Sequence, residues 1–589
     1  MLDENLKEKE EQVFDFAGQD FEEKDPREKG RDENGKLLLL PIGGISRVSQ
    51  NMYYYEYDGE ILLVDCGLGF PDQYMPGVDI LIPDISYLQD QVTAGKKIVG
   101  MLLTHGHDDH IGALPYILPG LPDFPIYASA LTAGFAEHRI LDGGLTRDIR
   151  VTKDREPFQL GRYFSVRSVP MTHSVPDTRH FFIKTPIGNM YHGSDFKLDE
   201  TPVDGVKPDY EFIEEVSREE GVYCMLSDSL RVEKQEWGPS ESTVGPEIRK
   251  LMEATEGKFI VTLMSSHIHR IQQVINAAQD LGRRIVFVGR SVEQNVRVAS
   301  QLDKLHYPQG LIVDKKDIAN YADDKLVIVI AGSQGQEGSS LMRAIAGEHP
   351  EIQIKVGDKV VFSADAIPGN ELNFFGAIDD LSLNGVDTVY PTINSNIHHS
   401  GHATAAEQKK LLELVKPQYV MPIGGNNRHR FKYIEYVAEP AGMKAEQVLI
   451  PDDGEVLSFA EKGKVRVFDQ VYLRPQYVDG LGIGDVGPTV LSDRRALSQA
   501  GMIIVVLKRR KGKIDWSDVR VISRGFVYIR DAGEVIEFIK RKVREIAEGE
   551  RKRKWNDKDW EAMLERKLAR SLYKVIQREP MIEVEVVDF

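Results

Sequence analysis

Cysteine is nearly absent from this chain: Cys66 and Cys224 are the only two in 589 residues. One pair cannot build a disulfide framework or a cysteine-based zinc cluster. Such sparing use fits a reducing compartment, so a cytoplasmic location is expected. No apolar run approaches the roughly 18 residues needed to cross a bilayer, so no membrane partner is expected. The stretch from Met1 to Lys36 has no apolar core of the kind signal peptides carry. It is rich in Glu, Asp, Lys and Arg, and 1–36 reads as a disordered acidic tail. An excess of positive charge is missing too. The formal net charge is -18, which argues against a general nucleic-acid coat protein. A basic groove can still sit on an acidic body, because local fields bind phosphates. Histidine is scarce, 15 in the whole chain, so its clustering is informative.

The length predicts several domains. Tyr53–Tyr57 and Glu60–Asp65 flank Asp58-Gly59, a strong hairpin signal. Strands and helices then alternate to about residue 200, which predicts an α/β layered fold. After a polar stretch at 217–221 a new alternation begins, with apolar strands at 259–263, 284–288 and 326–330 and a helix near 271–281. That pattern predicts an inserted doubly wound α/β domain over 221–370. The first layered domain would occupy 37–220 and resume at 371–460. The Gly-rich text at 478–487 marks a linker, placed at 461–490. A small C-terminal α/β domain is expected over 491–589, with a strand at 501–507 and mostly helix from 534 to 578. The basic run 540–554 could contact RNA, but the commoner reading is a solvated helix face.

The chemistry concentrates in Thr104-His105-Gly106-His107-Asp108-Asp109-His110. This segment follows the apolar run 98–103, which reads as a buried strand feeding a loop. A rigid strand end can present ligands to a metal, and imidazole with carboxylate suits zinc or a similar divalent ion. The bland alternative is a solvated polar loop. His105, His107, Asp109 and His110 could converge on one ion or two, and a two-ion clamp suits phosphodiester chemistry. Other segments must complete the shell. The strand-like Val169-Pro170-Met171-Thr172-His173 and the turn Gly193-Ser194-Asp195 are suitably placed.

These motifs resemble the metallo-β-lactamase superfamily. His105-x-His107-x-Asp109-His110 matches its signature, Asp65 in Val64-Asp65-Cys66-Gly67 its first motif, His173 its third and Asp195 its fourth. The resemblance implies a four-layer αββα sandwich. It also implies one ion on His105, His107 and His173, a second on Asp109 and His110, Asp195 bridging both, and Asp65 behind the ligands orienting the loop. Ser227-Asp228-Ser229 and His398-His399-Ser400-Gly401-His402 resemble the added motifs of the β-CASP group, whose members cleave nucleic acids. Further segments are similar to the bacterial ribonuclease J family. They include Gly67-Leu68-Gly69-Phe70-Pro71, Thr172-His173-Ser174-Val175-Pro176-Asp177, Gly332-Ser333-Gln334-Gly335 and Ile522-Ser523-Arg524-Gly525-Phe526-Val527-Tyr528.

That resemblance implies a zinc-dependent RNA hydrolase with two ions, magnesium or manganese being the alternatives. It implies internal cleavage and 5′-to-3′ trimming of 5′-monophosphorylated RNA in maturation and decay, rRNA processing included, and a homodimer or homotetramer. Asp109, His402 and Asp228 are the expected catalytic residues, with His402 protonating the leaving 3′ oxygen. Ser265, Ser266 (near His267 and Arg270), Ser333, Gly335 and the turn His398, His399, Ser400, Gly401 and His402 are the expected phosphate and substrate contacts. The competing reading of Gly332-Ser333-Gln334-Gly335 is a plain strand-to-helix turn.

Two positions depart from the pattern. The family's last motif is a histidine after a strand; here Gly424 stands there and offers no side chain. A second metal site weakened by Gly424 is therefore expected, with His429 as a distant candidate replacement. Leu230-Arg231 stands where Thr-Asn is usual. Two rivals remain in view: a DNA-directed β-CASP nuclease, and an RNA-binding scaffold with an impaired second metal site.

Overall fold

The computed structural model describes residues 35–588 except 73, 368–369, 462–464, 475, 481, 527–531 and 551–555. The expected tail over 1–34, Val527-Tyr528 of the last motif and part of the basic run lie outside the described residues. The described residues divide into two compact units, one within 1–69 and 82–475 and the other within 70–81 and 476–589.

Period-two patterning builds the first unit. An eight-stranded sheet contains the hairpin Met52–Tyr57 and Glu60–Val64, with Tyr57 opposite Glu60 as the Asp-Gly turn requires. A six-stranded sheet stacks beside it. One apolar core joins the two: Leu39, Tyr55, Leu62 and Leu102 from the first sheet meet Phe181, Ile183, Met190, Leu226 and Ile423 from the second. The residues between these, Phe182, Tyr191, Met225 and Val420, point to the opposite face. Alternation along a strand forces that split. On this face they pack against the helices Tyr210–Glu220 and Ala405–Val415. Each amphipathic element buries one face, which is how the layered sandwich forms.

A five-stranded, all-parallel sheet carries the strands Phe259–Thr262, Arg284–Val288, Leu326–Ile330, Lys359–Phe362 and Asp387–Val389. Both faces are covered, so its strands are continuous apolar runs rather than alternating ones. This layer reaches past the expected boundary at 370. The helix Glu371–Leu383 packs into its core through Phe374, Ala377 and Leu381, and Asp387–Val389 forms its edge strand.

The span 461–490 holds more than a linker. Arg466–Gln470 is the edge strand of the eight-stranded sheet, and Gln476–Asp479 pairs with Gly482–Ile483. In the second unit, Met502–Arg510 pairs antiparallel with Lys513–Arg524 and parallel with Met581–Asp588. Ile503, Val505 and Leu507 pack against Leu564 and Leu568 of the helix Asp557–Ile576.

Candidate metal centre

Parallel strands deliver the site. Glu60–Val64 runs beside Lys97–Leu102, so Asp65 and the His105 loop leave the sheet together. Asn189–His192, Cys224–Asp228 and Tyr419–Ile423 are also parallel neighbours. Asp195, Asp228 and Gly424 therefore gather at one sheet end.

Asp65 organises the loop from beneath. It is fully buried, accepts the Thr104 N–H and hydroxyl at 2.8 Å each, and lies 2.7 Å from His110 Nδ1. The His110 ring is thereby turned so that Nε2 faces the cluster. His107 Nδ1 lies 3.0 Å from His105 Nε2 and 3.1 Å from His173 Nε2. Two nitrogens bound to one tetrahedral zinc at about 2.05 Å would be about 3.3 Å apart, so this spacing fits three imidazoles on one ion. His173 Nδ1–H donates to the Gly401 carbonyl at 2.7 Å, which leaves Nε2 as the lone-pair nitrogen. A Cβ at Gly401 would lie 2.8 Å from the His173 ring, so that position needs glycine.

Asp195 Oδ2 sits among the rings, 3.4 Å from His110 Nε2, 3.7 Å from His105 Nε2, 3.8 Å from His402 Nε2 and 3.9 Å from His173 Nε2. Asp109 Oδ2 is 3.7 Å from His110 Nε2. His105, His107, His173 and Asp195 thus form one donor set, and Asp109, His110 and Asp195 a second. Burial, and then the neighbouring rings, hold His105 well below its ordinary pKa; burial takes His107 down to about 3 and also lowers His173. Neutral rings are the form a divalent ion binds.

His402 is different. Its Nδ1 lies 2.8 Å from Asp228 Oδ2. Burial opposes its charge, but Asp228 and Asp195 outweigh burial and raise its pKa to about 9. Asp228 is itself pushed up by burial, an effect that His402 partly offsets. Burial pushes Asp109 up to about 6, against the pull of His110.

The loops after Phe259–Thr262, Leu326–Ile330 and Lys359–Phe362 leave the C-terminal end of the parallel sheet, where α/β folds bind ligands. They bring Ser265, Ser266 and Ser333 to that edge. Ser265 accepts from Asn295 at 3.2 Å, and Ser333 Oγ is 3.9 Å from Met264 Sδ. Gly335, with φ +67, holds the turn after Ser333 and is packed against the Asn373 backbone. His398 Nε2 is 3.5 Å from Asp365, His399 Nε2 lies 2.9 Å from the Thr243 hydroxyl, and Ser400 Oγ accepts the His402 N–H at 3.2 Å.

Several residues act here in ways the sequence does not announce. Arg270 is fully buried, bonded to Glu241 through both ends, and donates to the Ser363 and His399 carbonyls; it fixes the 398–402 turn. Buried Glu407 accepts from Thr404 and from Leu198 N–H, tying that turn to the segment after Asp195. Asn51 places its carboxamide 3.0 Å from His110 Nε2. The structure does not bring His429 to the cluster: its Nδ1 accepts the Asn426 N–H and its Nε2 faces Glu233 at 3.7 Å. Gly424 has φ +70, and a Cβ there would lie 3.7 Å from Asp195 Oδ1.

Residues 45–222 match the metallo-beta-lactamase superfamily, 256–381 the ribonuclease J beta-CASP domain and 489–589 the ribonuclease J C-terminal domain. Ribonuclease J 1 of Streptococcus pyogenes serotype M3 is 35% identical over 505 residues, covering 85% of this chain and 88% of its own. Ribonuclease J of Thermus thermophilus is 35% identical over 523 residues, covering 86% and 89%. Ribonuclease J2 of Bacillus subtilis is 32% identical over 568 residues, covering 94% and 98%.

Proposed function

The chain belongs to the ribonuclease J family and is a metal-dependent nuclease of the metallo-β-lactamase and β-CASP type; from that premise we propose that it cuts RNA internally and also trims it from a 5′-monophosphate end. One observation carries the reading: both donor sets share Asp195, and the His402–Asp228 pair faces the same carboxylate. His105, His107 and His173 would hold zinc, and Asp109 with His110 a weaker second ion, zinc or else magnesium or manganese. Divalent ions there acidify water and neutralise phosphate charge.

The chain's own groups handle the protons. Asp109, raised to about 6, is suited to accept one from the attacking water. His402, raised to about 9, is charged at neutral pH and can donate one to the leaving 3′ oxygen. Asp228 orients that ring and keeps it charged. Ser265, Ser266, Ser333 and the 398–402 turn offer hydroxyl, ring and backbone donors at one sheet edge, a chemistry suited to a terminal phosphate. Arg231 lies within electrostatic reach of Asp365, His398 and His399 and adds positive charge near that edge. A role in maturation and decay of RNA, rRNA included, in the cytoplasm as a homodimer or homotetramer completes the reading.

The test is to digest one RNA sequence carrying 5′-monophosphate or 5′-triphosphate, with matched DNA, and to measure metal content in parallel. Faster trimming of the monophosphate and resistance of the DNA support the proposal. Equal trimming of both ends overturns the phosphate preference, and efficient DNA cleavage overturns the RNA assignment. Gly424 is what favours the scaffold reading; no RNA cleavage by metal-replete protein would establish it.

A further inference from the structure

Gly424 leaves the second donor set with Asp109, His110 and Asp195, one protein ligand short of what the family pattern would give. A fourth donor stands beside His110. Asn51 is 2% exposed, and its backbone is pinned from both sides: its N–H donates to the Asp109 carbonyl at 3.1 Å, and its carbonyl accepts from Gly67 N–H at 2.9 Å. The Asn51 backbone is thereby held beside His110. One end of the carboxamide lies 3.0 Å from His110 Nε2 and 3.2 Å from the Asp109 carbonyl. The other lies 3.2 Å from the Tyr53 hydroxyl, which is also 3.2 Å from the Gly44 carbonyl. That same carbonyl accepts the Gly424 N–H at 2.8 Å, so Asn51 and the residue in the vacant ligand's place belong to one network.

We propose that Asn51 supplies the oxygen ligand that replaces the side chain missing at position 424, and that the second position consequently takes a hard ion, manganese or magnesium, while the first keeps zinc. The proposal rests on the two-ion reading above.

Turning the carboxamide over exchanges its nitrogen and oxygen while leaving both positions filled. The network tolerates the exchange. The Tyr53 hydroxyl then donates to Gly44 and accepts from the Asn51 amide, while the Asp109 carbonyl keeps the Asn51 backbone N–H. The exchange sets the carboxamide oxygen 3.0 Å from His110 Nε2 and 3.2 Å from the Asp109 carbonyl oxygen, distances now measured to nitrogen. Two lone-pair atoms at that distance repel each other unless a cation lies against both. Two ligands at right angles and about 2.1 Å from one ion are about 3.0 Å apart, the octahedral spacing that magnesium requires. The choice of ion follows from the donors. An imidazole at 424 would give two nitrogens and favour zinc; a carboxamide oxygen with two carboxylates and one nitrogen favours harder ions.

The experiment uses the full chain, stripped with chelator, given one equivalent of zinc and then titrated with manganese. Bound manganese is read by electron paramagnetic resonance and zinc by elemental analysis. The wild type should hold one zinc and one manganese. Asn51→Ala should bind manganese at least about tenfold more weakly with zinc unchanged, in line with the usual cost of losing a ligand or its support. Asn51→Asp, nearly isosteric, should bind it more tightly, and Gly424→His should shift the second ion towards zinc. Loss of zinc from Asn51→Ala would mark misfolding, and Asn51→Asp then decides alone. Unchanged manganese affinity in the folded Asn51 variants overturns the proposal, as does wild-type preference for zinc at the second position. A wild type that takes up only one ion overturns the two-ion reading itself.

Discussion

Replacing Asp228 by Asn should move the alkaline edge of activity. His402 stands at about 9 rather than 6.5 because Asp228 and Asp195 overcome its burial. At about 1.4 kcal/mol per pH unit, the ring's charged form is favoured by about 3 kcal/mol over an isolated imidazole. Asp228 makes the 2.8 Å contact and Asp195 the 3.8 Å one, so Asp228 should account for the larger share. The sign follows directly: the ring is protonated below its pKa, and the acid function fades as pH rises through about 9. In Asp228→Asn the amide oxygen can still hold the ring, but the charge is gone. The alkaline limb of kcat/KM should fall by at least one pH unit, so that the variant loses at least about threefold more than the wild type at pH 8.5 and about tenfold more at pH 10. The assay is single-turnover cleavage of one RNA from pH 6 to 10 at fixed free metal. A matched substrate with sulfur in place of the scissile 3′ oxygen leaves without a proton, and on it the two proteins should converge. An unmoved limb, or an equal defect on the sulfur substrate, refutes the assignment of His402 as the acid.

Asp109→Ala should abolish RNA cleavage, measured at saturating metal; unchanged cleavage would remove Asp109 from the reaction. Gly401→Ala places a methyl 2.8 Å from the His173 ring, an overpacking worth about 1–3 kcal/mol; zinc bound per chain should drop. Glu241→Gln leaves the fully buried Arg270 without its counter-charge. Breaking such a pair costs about 3–5 kcal/mol. Urea unfolding should shift accordingly, and cleavage should fall with it because the 398–402 turn loses its anchor.

The residues that bind metal announce themselves in the sequence because their chemistry is dense and local. Three imidazoles and two carboxylates within 105–110 have few structural uses, and a strand before them fixes where they stand. The parallel sheet is legible for a similar reason, since apolar runs buried on both faces leave little else to do. What stays hidden is whatever depends on partners far apart in the chain. Glu241 reads as an ordinary charge and Arg270 as a neighbour of Ser265 and Ser266; only burial together, 29 residues apart, makes them a brace. Glu407 looks like a capping residue, and it is one, but its second oxygen holds Leu198 N–H, which no helix pattern reveals. The boundary at 370 fails because Glu371–Leu383 could cover either sheet, and only its packing against Val360 and Phe362 decides. Strand text also stands at the end of the chain, where Ile582, Val584 and Val586 alternate with Glu583 and Glu585 beside Met502–Arg510.

Gly424 shows how the two kinds of information combine. As a sequence position it predicts a deficit, because a glycine where a ligand belongs must weaken the second ion. The fold adds what stands around the deficit. Positive φ at 424 disfavours a side chain there, and the Gly44 carbonyl that holds its N–H also meets Tyr53, which fixes Asn51. A network that settles an amide against His110 Nε2 has the means to exchange one donor for another. The missing histidine then reads as a change in which ion the site prefers, and metal content separates that from a lost site more directly than activity does.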